Sequence, residues 1–279
     1  MKGIIVAAGY GTRFLPVTKT VPKEMLPVGT KPSIAYIVDE FVASGIEDII
    51  IISSRRKKAL EDYFDREIEL ETLFEREGKL DKLAMISPPK ARVSFVRQER
   101  MLGTGHALLQ AKNLVGDEPC VVAYPDDLHV GNPPLALQLV EIYEKTGKCV
   151  LATIFEPGDV SRYGIVDPMP DGVGVRGFVE KPPRGSEPSH EVSIGRYLYT
   201  PEFFHKLEEG WASHGEGEYF HSYALGRMIE EGKVAYRRVV GTRLDTGDPA
   251  GYLEAVLRNA SNDPALRPTL EKFLSLSRP

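Results

Sequence analysis

The residues best placed to do chemistry stand near the start of the chain, in Gly9-Tyr10-Gly11-Thr12-Arg13 and Pro22-Lys23-Glu24-Met25-Leu26-Pro27. Glycines at 9 and 11 allow positive φ and a close backbone approach, so successive N–H groups can converge on anionic oxygens. Arg13 adds a bidentate charge and Lys23 a more flexible one. Two cations on one glycine turn point to a triphosphate. Dinucleotide dehydrogenases also carry a glycine turn after a strand, but theirs reads G-x-G-x-x-G and opens a helix. Here the sixth position is Leu15 and Pro16 follows, which disturbs any helix start.

A second group of candidates follows later strands. Gln98 offers both a donor and an acceptor, as the edge of uracil or thymine requires, and the glycine turn Gly103-Thr104-Gly105 follows it. Asp126 and Asp127 are adjacent carboxylates beyond an apolar run, where Mg2+ would take one or two carboxylates together with substrate phosphates. Adjacent side chains on extended backbone point opposite ways, so one of the pair ligates directly. Asp245 can supply a second carboxylate, with helix capping as its competing role. Glu180 and Lys181 pair an acceptor for sugar hydroxyls with an ammonium for a sugar phosphate, and Gly164 and Gly195 permit a close approach to a sugar ring. His106 reads as a packing residue.

These groups need strand ends to hold them. The short β-branched run over 3–7 predicts a buried strand, followed by a helix over 33–44 and strands over 48–52, 93–96 and 120–124. This spacing is that of a parallel sheet covered on both faces, in which ligands sit at the carboxyl ends of strands. Residues 57–87 read as a polar helical excursion, and Arg55-Arg56-Lys57-Lys58 as a solvated face. Helices are expected over 134–146 and 201–208, with a strand over 149–155 between them. Strands over 163–166, 173–179 and 192–199 are separated by turns, which implies an antiparallel or mixed extension carrying the acceptor pocket. A strand over 234–240 and an amphipathic helix over 264–275, for packing or dimerisation, complete the chain, and a homodimer or homotetramer is expected.

At 279 residues with 42% hydrophobic and 27% charged content, the chain can bury a large α/β core. The expectation is one domain over 1–279, with a nucleotide-binding half over 1–155 and a sugar-phosphate half with C-terminal helices over 156–279. A net charge of −5 argues against a general nucleic-acid binder. Cys120 and Cys149 lie in apolar runs and read as buried core residues. No apolar run approaches the roughly 18 residues of a membrane span, and no signal peptide precedes the first strand, so a cytoplasmic protein is expected.

Residues 7–27 match A-A-G-x-G-T-R-x-L-P-x-T-K-x-x-P-K-E-M-L-P almost throughout. By this segment, and by others at 97–107, 125–127, 163–167, 179–182, 194–197 and 245–252, the chain resembles the sugar-1-phosphate nucleotidyltransferases, in particular the bacterial UTP:glucose-1-phosphate uridylyltransferases. The resemblance implies an α/β, Rossmann-like fold: a mixed, mostly parallel central sheet flanked by helices, with a smaller antiparallel sugar-binding extension. It implies Mg2+-dependent in-line attack of glucose 1-phosphate on the α-phosphorus of UTP, giving UDP-glucose and pyrophosphate. Arg13, Lys23, Asp126 and Lys181 then act on the phosphates, with Asp126 and Asp245 on the metal. Ala7, Ala8, Gly9, Gly11, Thr12 and Glu24 join Arg13 and Lys23 around the nucleotide, as do Gln98, Gly103 and Thr104. The sugar phosphate falls to Asp127, Gly164, Glu180, Lys181, Gly195 and Glu218.

Three residues depart from the family pattern: Thr30 stands where aspartate is common, and Phe220 and Tyr223 replace a glutamine and an aspartate. A thymidylyltransferase or another sugar-1-phosphate nucleotidyltransferase is the alternative activity. A catalytically inactive sensor of sugar nucleotides is the alternative from another class.

Overall fold

The structure, a computed structural model, describes residues 1–276. The first half runs β1 (Lys2–Val6), β2 (Pro27–Val28), β3 (Lys31–Pro32), α1 (Ser33–Ala43), β4 (Asp48–Ser53), α2 (Lys58–Phe64), α3 (Ile68–Arg76), α4 (Leu80–Ile86), β5 (Arg92–Arg97), α5 (Gly103–Val115), β6 (Cys120–Ala123), β7 (Asp127–Val130), α6 (Leu135–Thr146) and β8 (Cys149–Phe155). The second runs β9 (Gly164–Pro168), β10 (Val175–Glu180), β11 (Glu191–Tyr199), α7 (Pro201–Ala212), α8 (Ser222–Glu230), β12 (Val234–Arg238), β13 (Thr242–Asp245), α9 (Pro249–Asn262) and α10 (Arg267–Leu276).

Strands from both halves enter one sheet, in the order β10-β9-β11-β6-β1-β4-β5, with β8 joining β11 to β12. The run β6-β1-β4-β5 is parallel, so the carboxyl ends of four strands lie along one edge. Both faces of these strands are apolar, as a sheet covered on two sides requires. Alternation sends Ile4, Ile50, Ile52 and Val122 into the core beneath α5, α7 and α8. It sends Ile5, Ile49, Ile51 and Val121 into the core beneath α1 and α6. Cys120 and Cys149 are free thiols within these cores.

The mixed α/β architecture, the mostly parallel sheet and its antiparallel extension are those the sequence predicts, but two details differ. The extension is continuous with the parallel strands: β11, buried along its whole length, pairs with β6, β8 and β9. The excursion over 57–87 is three helices, interrupted after Phe64 and again at Gly78, which adopts φ +67. The strand expected from 173 begins at Val175, because Asp171 Oδ1 accepts from the amides of Val173 (2.9 Å) and Gly174 (2.7 Å) and holds them in a turn.

Separately, β7 and β13 form a two-stranded antiparallel ribbon in which Asp127 lies opposite Asp245. A buried ion pair anchors its start. Arg196 on β11 is fully buried and forks onto Glu40 of α1, Nε to Oε1 at 3.0 Å and Nη2 to Oε2 at 2.8 Å. Its Nη2 also donates to the Asp127 carbonyl at 3.2 Å. Such a fork fixes geometry, because both ions are desolvated and neither can move without losing its partner.

Candidate active site

The first glycine turn follows β1 directly. Gly11 is left-handed, at φ +68, and Thr18 Oγ1 donates to its carbonyl at 2.7 Å, pinning the turn from below. Lys23 lies in a short 3-10 turn, and its ammonium reaches across to Asp126 Oδ2 at 2.6 Å. Burial works to lower the Lys23 pKa, but the carboxylates of Asp126 and Glu24 outweigh it and hold the ammonium above its ordinary value. Burial likewise opposes ionisation of Asp126, and Lys23 prevails, keeping that carboxyl below its usual range. Glu24 points the other way. Both of its oxygens are taken by Lys57, at 2.8 and 2.7 Å, in a pair almost wholly out of solvent. Its carboxylate is directed at Lys57 and supports the loop. Lys57 accordingly leaves the basic run that was read as a solvated face.

Asp126 and Asp127 diverge, as alternation predicts. Asp127, expected on the sugar phosphate, is half-buried and already partnered: Arg243 forks onto it, Nη2 to Oδ2 at 3.1 Å, and the Gly195 amide donates to Oδ2 at 2.7 Å. Arg243 also reaches Asp245 Oδ2 at 3.2 Å, and the surrounding carboxylates raise its pKa against the pull of burial. Asp245 does not cap α9. Asp248 does so, its Oδ1 accepting from Ala250 (2.9 Å) and Gly251 (3.0 Å).

The chain then folds back over the carboxylates. Thr246 donates to the Asp126 carbonyl through N (2.7 Å) and Oγ1 (3.1 Å), and Arg13 Nη1 donates to the Gly247 carbonyl at 3.3 Å. At Gly247 the missing side chain matters. A Cβ there would stand 3.0 Å from Asp245 Oδ1, 3.4 Å from Asp126 Oδ2 and 3.5 Å from Arg13 Nη1. Two carboxylates and a guanidinium thus converge on a gap that only glycine leaves open. Among the described residues no group of three or more His, Cys, Asp or Glu is assembled for a metal. Two oxygen donors beside an open gap nevertheless fit a hard divalent cation that completes its shell with phosphate oxygens.

Beside this centre lies a cleft of about 420 Å³ lined by Gly9, Gly11, Thr12, Glu24, Tyr124 and Asp126 together with Gln98, Met101, Gly103, Thr104, Glu218 and Phe220. Ala8 lines its floor, while Ala7 is fully buried beside it and donates to the Ile52 carbonyl. Gln98 is almost fully buried. Its Nε2 donates to the Gly103 carbonyl (3.0 Å) and meets His106 Nδ1 (3.1 Å), contacts in which its carboxamide oxygen has no part. His106 packs against Trp211, with ring centroids 5.0 Å apart. Gly103 needs φ +91, and a Cβ on it would meet the Tyr219 carbonyl at 2.5 Å. The second glycine turn is therefore clamped by the segment before α8.

That clamp includes a half-buried histidine. His221 Nδ1 lies 2.9 Å from Thr104 Oγ1 and 3.4 Å from the Tyr124 hydroxyl, while its Nε2 is buried and, among the described residues, has no hydrogen-bond partner. Burial pushes this imidazole down to about 4 from an ordinary 6.5. Between those values the unfolded chain takes up a proton that the native state refuses, so stability is full above pH 6.5 and falls with acid towards pH 4. The expected loss is at most about 3 kcal/mol. Melting curves from pH 7 to 4.5 should show a shallower acid decline for His221→Asn than for the parent protein. Parallel curves would contradict the assignment.

The structure does not bring every expected residue together. Lys181, in a left-handed conformation at φ +49, is largely exposed at the end of β10, and its ammonium is 3.7 Å from Glu180 Oε1. Among the described residues no ion pair joins it to the Asp126 centre. Gly164 adjoins Glu180, a Cβ there lying 2.9 Å from Oε2, and Gly195 backs onto Asp127 and Tyr124.

Two residues of the site escaped sequence reading. Arg243 stands two positions before Asp245 on a strand, hence on the same side, which is a signal that could have found it. Arg162 lies over the Tyr163 ring at 4.9 Å, with Arg243 over the same ring at 5.5 Å, and it feels the charges of Asp245 and Asp248.

Comparison with known proteins adds to this geometry. The sequence model of a family described as nucleotidyl transferase matches residues 2–262. A relative from Staphylococcus epidermidis, named UTP--glucose-1-phosphate uridylyltransferase, is 41% identical over 98% of this chain and 96% of its own. A solved UTP-bound UGPase from Acinetobacter baumannii superposes with a TM-score of 0.88 at 34% identity, covering 99% of both chains. A UDP-glucose pyrophosphorylase complexed with UDP-glucose superposes with a TM-score of 0.80 at 35% identity, covering 94% of this chain and 99% of the other.

Proposed function

Because the chain belongs to the nucleotidyl transferase family, we propose that it joins UTP and glucose 1-phosphate to give UDP-glucose and pyrophosphate. The observation that carries this reading is the convergence of Asp126, Asp245 and Arg13 on the gap at Gly247, with Lys23 already paired to Asp126. The relatives that bind UTP and UDP-glucose support the choice of substrates.

In this reading a phosphate oxygen of glucose 1-phosphate attacks the α-phosphorus in line, and the bond from that phosphorus to the bridging oxygen of pyrophosphate breaks. Such a transfer needs positioned charge more than a covalent nucleophile. Asp126 and Asp245 would hold Mg2+, which would neutralise charge on the phosphates. Lys23, paired with Asp126 at 2.6 Å, offers its ammonium to the triphosphate. Arg13 takes the departing pyrophosphate, while Gln98 reads the base edge. Glu180, Lys181 and Gly164 serve the sugar phosphate from the β9–β10 side. Asp127 acts by fixing Arg243, and through it the orientation of Asp245.

No helix among the described residues is long and apolar enough to cross a membrane. With two free, buried thiols, this favours the cytoplasm. Exposed Leu253, Leu257, Leu274 and Leu276 on the C-terminal helices favour a homo-oligomer. Pyrophosphate release measured over a panel of triphosphates and sugar 1-phosphates tests the substrates. UTP with glucose 1-phosphate should give the highest kcat/KM, and a preference for dTTP would move the activity to the thymidylyl class. Binding of UDP-glucose with no turnover of any pair would leave a sensor.

A further inference from the structure

Phe220 forms one wall of the cleft, and it is also a wall of a second, open basin of about 430 Å³ lined by Ser213, His214 and Tyr223. The residue is 49% exposed, although its backbone is held tightly. A Cβ on Gly105 would stand 2.9 Å from the Phe220 carbonyl carbon and 3.0 Å from its oxygen. On one side Tyr219 donates to the Leu102 carbonyl (2.8 Å) and accepts from Gly105 (2.9 Å), and on the other the His221 amide donates to Thr104 Oγ1 (3.3 Å). A half-exposed phenylalanine is thus fastened to the second glycine turn, in the wall of the same cleft that Gln98 lines.

We infer that Phe220 covers the face of the pyrimidine base, while Gln98 meets its edge, so that this chain grips the base by stacking where its family commonly has a glutamine. The inference rests on the proposal that a pyrimidine triphosphate fills this cleft. Stacking on an aromatic ring is tolerant of base identity, since every base offers a π face. Phe220 therefore contributes affinity, and discrimination stays with Gln98.

Trp211 is the sole tryptophan and reports on the cleft, packing on Tyr219 (5.6 Å) and on the His106 that touches Gln98. Titrating the full chain with UTP and following Trp211 fluorescence should give a Kd about tenfold weaker for Phe220→Ala. The KM for UTP should rise in step, with kcat and the KM for glucose 1-phosphate changed less than about twofold. Phe220→Tyr should bind UTP like the parent protein. Ribose 5-triphosphate, which lacks the base, should bind parent and Phe220→Ala alike. An unchanged Kd for UTP in Phe220→Ala, or an equal loss for both ligands, would overturn the assignment. Parent protein that binds UTP but releases no pyrophosphate would refute the proposed reaction and leave the comparison of Phe220 variants intact.

Discussion

Asp126→Asn is expected to lower kcat about a thousandfold, with kcat/KM falling alongside it. Asp126 answers two charges, the ammonium of Lys23 at 2.6 Å now and the cation that the gap at Gly247 fits during turnover. An amide keeps the shape and loses the charge, so the stabilisation it removes belongs to the transition state, where charge on the phosphates peaks. A loss of that kind lowers kcat and kcat/KM together and leaves substrate binding comparatively untouched. Folding should suffer less. Lys23 keeps some access to water, and losing its partner costs about 1–2 kcal/mol. Steady-state pyrophosphate release with parallel melting curves separates the two effects. Near-parental turnover would remove Asp126 from the reacting centre.

Gly247→Ala is expected to lower kcat about a hundredfold with almost no change in stability. Gly247 is not among the glycines with positive φ, so alanine brings no backbone strain. The new methyl would sit 3.0 Å from Asp245 Oδ1, 3.4 Å from Asp126 Oδ2 and 3.5 Å from Arg13 Nη1. Of these, Asp245 Oδ1 must give way by a few tenths of an ångström, at a cost below about 1 kcal/mol, and the other two contacts are near ordinary van der Waals distance. The methyl nevertheless takes up space between the two carboxylates, and misplacing reacting groups there costs about 10²-fold. The concentration of Mg2+ that supports half-maximal activity should rise as well. An alanine variant with full activity would show that the gap is not where the cation and phosphates meet.

Much of this centre is legible in the sequence because it hangs on strand ends. Buried, β-branched runs at 3–7 and 48–52 announce parallel strands, and the residues after them, such as Gly9, must share one edge. The divergence of Asp126 from Asp127 is legible too, because extended backbone alternates. What escaped depends on pairings that no local pattern states. The β7–β13 ribbon joins four-residue strands over a hundred positions apart, so the fork of Arg243 onto Asp127 has no sequence signature strong enough to displace the sugar-binding reading. Glu24 was hidden similarly: its partner, Lys57, lies in a basic run whose average character is exposed. Phe220 was visible as a departure from the family, but its place in the cleft that Gln98 also lines follows from how Tyr219 and His221 clamp the second glycine turn.

The most direct measurement follows the label from UTP carrying ³²P at the α position, incubated with glucose 1-phosphate and Mg2+. The account predicts that the label appears in UDP-glucose while unlabelled pyrophosphate is released in equal amount, and that Asp126→Asn suppresses both. Label recovered as free UMP with glucose 1-phosphate unconsumed would contradict transfer to the sugar phosphate, and with it the role given to the groups around Gly247.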